Sequence, residues 1–228
     1  MTIGIVVFPG SNCDEDIRRA LVDELGAEAR FVWHKETTLP AVDAVVLPGG
    51  FSYGDYLRAG AIARFSPVMR AVRDFAGGGG YVLGICNGFQ ILTESGLLPG
   101  ALMVNRSLRF ICRDVYICAG ESKAALSARL DAARAFRVPI AHQEGNYVAE
   151  PETLRRLNAE GQIAFRYCSS GGVLDEAANP NGSLENIAGV CSPNGRVLGM
   201  MPHPERCSSE ALGATDGAEI LRAWLATR

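Results

Sequence analysis

Two short stretches carry residue types and spacings that could do chemistry. The first is Tyr81-Val-Leu-Gly-Ile-Cys86-Asn-Gly-Phe-Gln90, a short apolar strand that turns at once into a helix. A strand-to-helix corner lifts its central residue, Cys86, out of the sheet in a strained backbone conformation that its neighbours must hold. Gly84 and Gly88 give that corner room because neither carries a Cβ. The positive end of the following helix would favour the thiolate. The second stretch is Met201-Pro-His203-Pro-Glu205-Arg206, placed just past another expected strand. By itself a lone apolar cysteine is an inert core residue and a His-Pro-Glu turn is a solvated loop. Together they form a nucleophile, a base whose pKa lies near neutrality, and a carboxylate that orients the base. The reaction such a set performs is attack on a carbonyl, which needs two backbone N–H groups for the oxyanion. Asn87, directly after the cysteine, is the expected first donor, and the Gly49-Gly50 pair is the expected source of the second.

These groups must be positioned by a sheet. Ile3–Phe8 is a continuous apolar run, as in a strand buried on both faces of a parallel sheet. Ile17, Leu21 and Leu25 mark one face of a helix that ends at Gly26. Strands are expected at Phe31–Trp33, Ala44–Leu47, Leu102–Val104, Asp114–Cys118, Val138–Ala141 and Ile163–Tyr167. Helical segments carrying Ile62, Phe65, Met69, Val72 and Phe75, broken near Pro67, lead through Gly77–Gly80 into the cysteine strand. A helix spans Glu152–Asn158 behind Pro151. Ile187–Cys191 and Arg196–Met201 flank Asn194-Gly195, a hairpin signal. A last helix carries Ile220, Leu221, Trp224 and Leu225. The rhythm of strands and helices predicts an α/β fold: one domain over 1–228, a mostly parallel, doubly wound sheet with helices on both faces. The loop Pro48–Asp55 then falls at the carboxyl end of a strand, where open α/β sheets bind ligands.

Composition narrows the function classes. The chain has 228 residues, is 48% hydrophobic and has a net charge of −3, which gives no electrostatic footprint for nucleic acid or an acidic membrane surface. The amino-terminal residues read directly as a strand, with no basic leader, and no apolar run reaches membrane-spanning length. Seven cysteines at irregular spacing predict reduced thiols in a cytoplasmic protein. His34, His142 and His203 lie far apart and no Cys-x-x-Cys pair occurs, so the sequence holds no metal-site pattern. No Gly-x-x-x-x-Gly-Lys-Ser/Thr phosphate loop occurs either.

The stretches Gly84–Gln90, Pro48–Asp55 and Met201–Arg206 resemble the three signatures of the class I, triad-type glutamine amidotransferase family. Phe8–Asp14, Tyr56–Ala61, Asn105–Phe110 and Asn179–Ser183 further resemble the glutaminase subunits that serve a purine-biosynthetic synthetase within it. The likeness runs from Ile3 to Arg206. It implies Cys86 as nucleophile, His203 as base, Glu205 as its orienting carboxylate, and Gly50 and Asn87 as oxyanion donors. It implies Gly49, Gln90, Arg109 and Phe110 as contacts to substrate. L-glutamine would be hydrolysed through a thioester, and ammonia passed to a large synthetase subunit that uses ATP and Mg to convert formylglycinamide ribonucleotide to the amidine. A small third subunit is implied as well, and no cofactor bound by this chain itself. Gln143 departs from the family pattern, which has glycine there, and His142 reads as a satisfied structural histidine. The rivals are a glutaminase serving guanylate, anthranilate or pyridoxal phosphate synthesis, a cysteine hydrolase of a related fold, and an inactive scaffold. The hydrolases place histidine directly after the cysteine, where this chain has Asn87.

Overall fold

The computed structural model describes residues 1–227. Eleven strands run as β1 (Thr2–Val7), β2 (Glu28–Trp33), β3 (Ala44–Leu47), β4 (Tyr81–Ile85), β5 (Ala101–Met103), β6 (Ile111–Ala119), β7 (Ala135–His142), β8 (Asn146–Val148), β9 (Ile163–Cys168), β10 (Ile187–Cys191) and β11 (Val197–Met200). Five helices, α1 (Asp14–Arg19), α2 (Pro67–Gly77), α3 (Asn87–Glu94), α4 (Pro151–Ala159) and α5 (Asp216–Leu225), connect them. Nine strands form one sheet in the order β2-β1-β3-β4-β11-β10-β9-β6-β7. The first five of that order pair in parallel. The remaining strands add antiparallel, beginning with the β10–β11 hairpin. None of the described helices is long and apolar enough to cross a membrane.

Parallel strands must be covered on both faces, and their side chains are apolar throughout. Ile3, Ile5, Val45, Val46, Leu47, Val82, Leu83 and Ile85 are accordingly all buried. Each such side chain contributes about 1.5–3 kcal/mol on leaving water. The strand order sets the function-bearing edge. β3, β4 and β11 are neighbours, with Leu47 level with Gly84 and Met200 level with Ile85. The Pro48–Asp55 loop, the Cys86 corner and the His203 segment therefore leave the sheet side by side.

Three glycines let α3 settle onto this edge. A Cβ on Gly88 would run into the carbonyl of Leu47, and one on Gly84 would meet Leu92 and the Gly88 backbone. On the far side, a Cβ on Gly199 of β11 would collide with the Phe89 ring. The whole span Asn87–Thr93 is buried as a result.

Several elements depart from expectation. The strand expected at Leu102–Val104 forms as β5 but pairs with β8 in a separate two-stranded sheet. β8, only three residues long, gave no periodic signal. The first helix keeps Ile17 and Leu21 buried but widens to a π-type turn over Ala20–Glu24. Phe65 is 73% exposed rather than on a buried face, because Pro67 starts α2 anew and rotates the preceding turn out of register. The cysteines were expected reduced throughout, yet Cys118 and Cys168 form a disulfide. Adjacent antiparallel strands β6 and β9 bring these two together across 50 residues of sequence, a meeting invisible to spacing rules.

The glycine seat makes a direct prediction. Gly88→Ala should destabilise the chain by about 3 kcal/mol, the upper range for overpacking a tight site, because backbone cannot yield as a side chain can. Urea unfolding measures this, and a loss under about 1 kcal/mol would mean that α3 does not need so close an approach.

Candidate active site

Cys86 occupies the corner between β4 and α3 with φ 49° and ψ −104°, a conformation strongly disfavoured for a residue with a side chain. Its N–H donates to Met200 O (2.8 Å) and its carbonyl accepts from Gln90 N–H (3.1 Å), so strand and helix both pin it. The side chain is 4% exposed, with the thiol directed at Ala141 O, 3.8 Å away.

His203 follows β11, and its N–H donates to Pro139 O (2.9 Å). The ring's Nδ1 lies 2.6 Å from Glu205 Oε1. A carboxylate only accepts, so Nδ1 carries the proton and Nε2 is free to act as the base. Glu205 sits in the single turn Pro204–Cys207, and both residues are buried. Burial opposes a charge on His203, but Glu205 and the nearby Cys86 and Cys13 thiols outweigh it and raise its pKa well above the ordinary value. Nε2 is buried and has no formed hydrogen bond. Room for the imidazole comes from Gly49, where a Cβ would stand 2.8 Å from His203 Cε1.

Gly50 has φ 144°, which favours glycine, and the loop's bonds run from Phe51 N–H to Gly10 O (2.9 Å) and Cys13 N–H to Gly49 O (3.3 Å). The Gly50 N–H stands outside those bonds. Asn87 is the first residue of α3, so its N–H has no acceptor within the helix. The Asn87 side chain ties the glycine loop to the helix. Its Oδ1 accepts from Ser52 N–H (3.1 Å) and its Nδ2 donates to Gln90 Oε1 (2.9 Å). Gln90 Nε2 in turn donates to Glu144 O (2.6 Å).

A cavity of about 340 Å³ opens here, lined among others by Gly50, Asp55, Cys86, Gln90, Phe110 and Glu144. Its size suits a single amino acid. A larger groove of about 1020 Å³ along α2 contains none of these groups. Of the residues expected to contact substrate, Gln90 and Phe110 line the cavity, and Phe110 stacks on Phe51 at its mouth (ring centroids 6.5 Å apart). Gly49 instead backs the imidazole. Arg109 is exposed and outside the lining, and its backbone is held locally: its carbonyl accepts from Asn105 Nδ2 (2.9 Å) and its N–H donates to Ser107 Oγ (3.4 Å).

A family model described as a CobB/CobQ-like glutamine amidotransferase domain matches residues 1–218. The chain belongs to that family. Among such amidotransferases it is 55% identical to phosphoribosylformylglycinamidine synthase subunit PurQ of Moorella thermoacetica, over 97% of this chain and 94% of that one. It is 57% identical to the PurQ subunit of Bradyrhizobium diazoefficiens, over 95% of this chain and 94% of the other. The solved PurLQS structure from Thermotoga maritima contains a chain that superposes with a TM-score of 0.85 at 38% identity, covering 98% of this chain and 97% of that one.

This amidotransferase site also holds residues that sequence reasoning passed over. Asp55 and Glu144 both line the cavity, and burial together with Glu144 pushes the Asp55 carboxyl up to about 6. His142, read as a satisfied structural histidine, also lines the cavity. Its Nδ1 lies 3.1 Å from Asn105 Oδ1, which also accepts from Gly145 N–H (3.1 Å), while its Nε2 is buried and unpaired. Burial and the His203 charge push its pKa down to about 3, so it is neutral at physiological pH. Cys13 lies beside His203, its Sγ 3.0 Å from Arg206 Nη2. Only its adjacency to the glycine loop, through chain reversal at Pro9-Gly10, could have signalled this.

Asp55 makes stability depend on pH. Its folded-state pKa lies above the ordinary value of 3.8, so its contribution is whole at low pH and is lost as pH rises through about 6. Asp55→Asn should therefore exceed the wild type by about 1–2 kcal/mol at pH 8, the full linkage value being reduced by solvent screening of a half-exposed group. Urea unfolding between pH 5 and 8 reads the difference, which should narrow towards the acid end. A gain independent of pH would mean that Asp55 ionises without penalty.

Proposed function

We propose that this chain is the glutaminase subunit of a phosphoribosylformylglycinamidine synthase, acting in the cytoplasm on L-glutamine and delivering ammonia to an ATP-dependent synthetase subunit. The observation that carries this reading is the strained Cys86 corner at one end of a cavity sized for an amino acid, beside the buried His203–Glu205 couple. Its likeness to PurQ subunits over 95% or more of its length supports the choice of acceptor.

The chemistry proceeds in two halves. Cys86 sulfur, its proton transferred to His203 Nε2, bonds to the side-chain amide carbon of glutamine. The carbonyl electrons move onto oxygen, where the N–H groups of Gly50 and Asn87 stabilise the charge. As the carbonyl reforms, the C–N bond breaks and His203 returns the proton to the departing nitrogen, which leaves as ammonia. A γ-glutamyl thioester remains on Cys86. Water, deprotonated by His203, then attacks the same carbon, the C–S bond breaks, and glutamate leaves with the thiol restored. Glu205 holds the imidazole in the tautomer both halves require. Gln90, positioned by Asn87 and Glu144, faces the amino acid, and Phe110 closes the mouth. ATP and Mg act in the synthetase subunit, with a small third subunit completing the assembly.

The resting geometry suits control by that assembly. The thiol meets hydrogen-bond geometry at Ala141 O, 3.8 Å away, and not at the imidazole Nε2, although Cys86 stands close enough to act on that ring, so a small realignment completes the proton relay. Glutaminase turnover by the isolated chain should accordingly be at least about tenfold below that of the complex. Within the complex, Cys86→Ala should lose glutamine-dependent amidation by at least about 10³-fold, as removal of a covalent nucleophile does. Synthesis from ammonium salts should persist. Glutamine-dependent turnover surviving in Cys86→Ala would overturn the assignment.

A further inference from the structure

We propose that Asp55 and Glu144 hold the α-ammonium group of the substrate, so that the cavity selects an α-amino acid amide over a simple amide. The proposal rests on the glutaminase reading, because it names a further part of that same site. Both carboxylates line the cavity of about 340 Å³ that also contains Cys86. Each has one oxygen placed by the protein. Asp55 Oδ1 accepts from Asn87 Nδ2 (3.4 Å), and Glu144 Oε2 accepts from Ala59 N–H (3.2 Å). The other oxygens, Asp55 Oδ2 and Glu144 Oε1, accept no hydrogen bond from the described residues. Asn87 Nδ2 also donates to Gln90 Oε1 (2.9 Å), so the residue whose N–H serves the oxyanion also fixes the Asp55 carboxyl.

Nothing in the lining balances these charges. Among the described residues that line the cavity there is no lysine or arginine. Arg58, the cation that acts on Glu144, stands outside the lining and is engaged by Glu94, 2.7 Å from its Nε. A second observation points the same way. His142 is 3% exposed and lines the same cavity. Asn105 uses Nδ2 to donate to the carbonyls of Arg109 and His142 (2.9 Å each), so its Oδ1 accepts the Nδ1 proton of His142. His142 Nε2 is therefore a bare acceptor, buried and without a donor. A vacant acceptor beside two carboxylates that lack a cation marks a place for a positively charged donor. Asp55 shows the same deficit: burial and the charge of Glu144 push its carboxyl up to about 6, and no cation opposes them. An ammonium group supplies both the missing charge and N–H donors. Glutamine carries that group at the opposite end of its chain from the amide that Cys86 attacks. Holding it directs the amide towards the thiol.

The assembled complex can be assayed on glutamine and on glutaramate, which keeps the amide and the carboxylate and lacks only the amino group. Wild-type kcat/KM should favour glutamine by at least about 10²-fold, since a site built for a polar group rejects the analogue without it. Asp55→Asn should reduce that preference at least about tenfold, through a higher KM for glutamine with kcat kept within about threefold. Turnover of glutaramate should change by less than about threefold in the same variant. Glu144→Gln should move the preference in the same direction. The ratio of the two kcat/KM values cancels ionisations that both substrates share, those of Cys86 and His203 included. In the wild type this ratio should fall as pH drops through about 6, where Asp55 takes up a proton and loses its hold on the ammonium. His142, neutral down to about 3, is silent in that range. In Asp55→Asn the ratio should stay level. A merely structural role for Asp55 would lower turnover of both substrates alike, and that result would overturn the subsite. Equal wild-type turnover of glutamine and glutaramate would overturn it too, while leaving the Cys86-dependent reaction intact. Glutamine turnover that survives Cys86→Ala would instead remove the glutaminase reading, and the subsite with it.

Discussion

The close approach of α3 to the ends of β3, β4 and β11 is the constraint on which the site depends. Cys86 can hold φ 49° only because strand and helix leave its backbone no alternative, and three glycines permit the contact that enforces this. Packing energy from a fully buried helix thus maintains a strained residue, the usual arrangement where strain serves function. A looser helix would let the corner relax, and the thiol would swing back towards the core.

Electrostatics supply what packing cannot. His203 and Glu205 are almost wholly removed from water, where an isolated carboxylate would be costly, and their 2.6 Å contact offsets that cost. The same low-dielectric surroundings strengthen the influence of each neighbouring thiol on the ring. Across the cavity, His142 is held neutral and Asp55 is held near the point of protonation. One small cavity is therefore lined by a neutral imidazole and a carboxyl that can take either form, while the charge-prone imidazole of His203 stands beside Cys86 outside that lining.

Local chemistry was legible in the sequence wherever a single segment encodes it. The cysteine corner announces itself through Gly84 and Gly88, and the His203–Glu205 couple through two prolines that stiffen three residues. Long apolar strands and the Asn194-Gly195 hairpin were legible for the same reason. What was hidden depends on which segments meet. Nothing near Cys13 says that it will lie against His203, 190 residues later, and nothing near Cys118 says that β9 will carry Cys168 beside it. Glu144 reaches the cavity only because β6 and β7 extend the sheet past the parallel strands. Arg109, adjacent to Phe110 in sequence, ends outside the lining because it lies in the bend beside Leu108, whose φ of 55° turns the chain before Phe110 is reached.

The placement of two thiols beside one imidazole sharpens the central claim, that the strained thiol alone bonds to substrate carbon. Radiolabelled glutamine supplied to the assembled complex, followed by acid quenching and peptide mapping, reads this directly. The account predicts γ-glutamyl label on the Cys86 peptide and none on the Cys13 peptide, with all label lost in Cys86→Ala. Label on Cys13, or turnover with no thiol-bound label even when hydrolysis is slowed by cold, would contradict it.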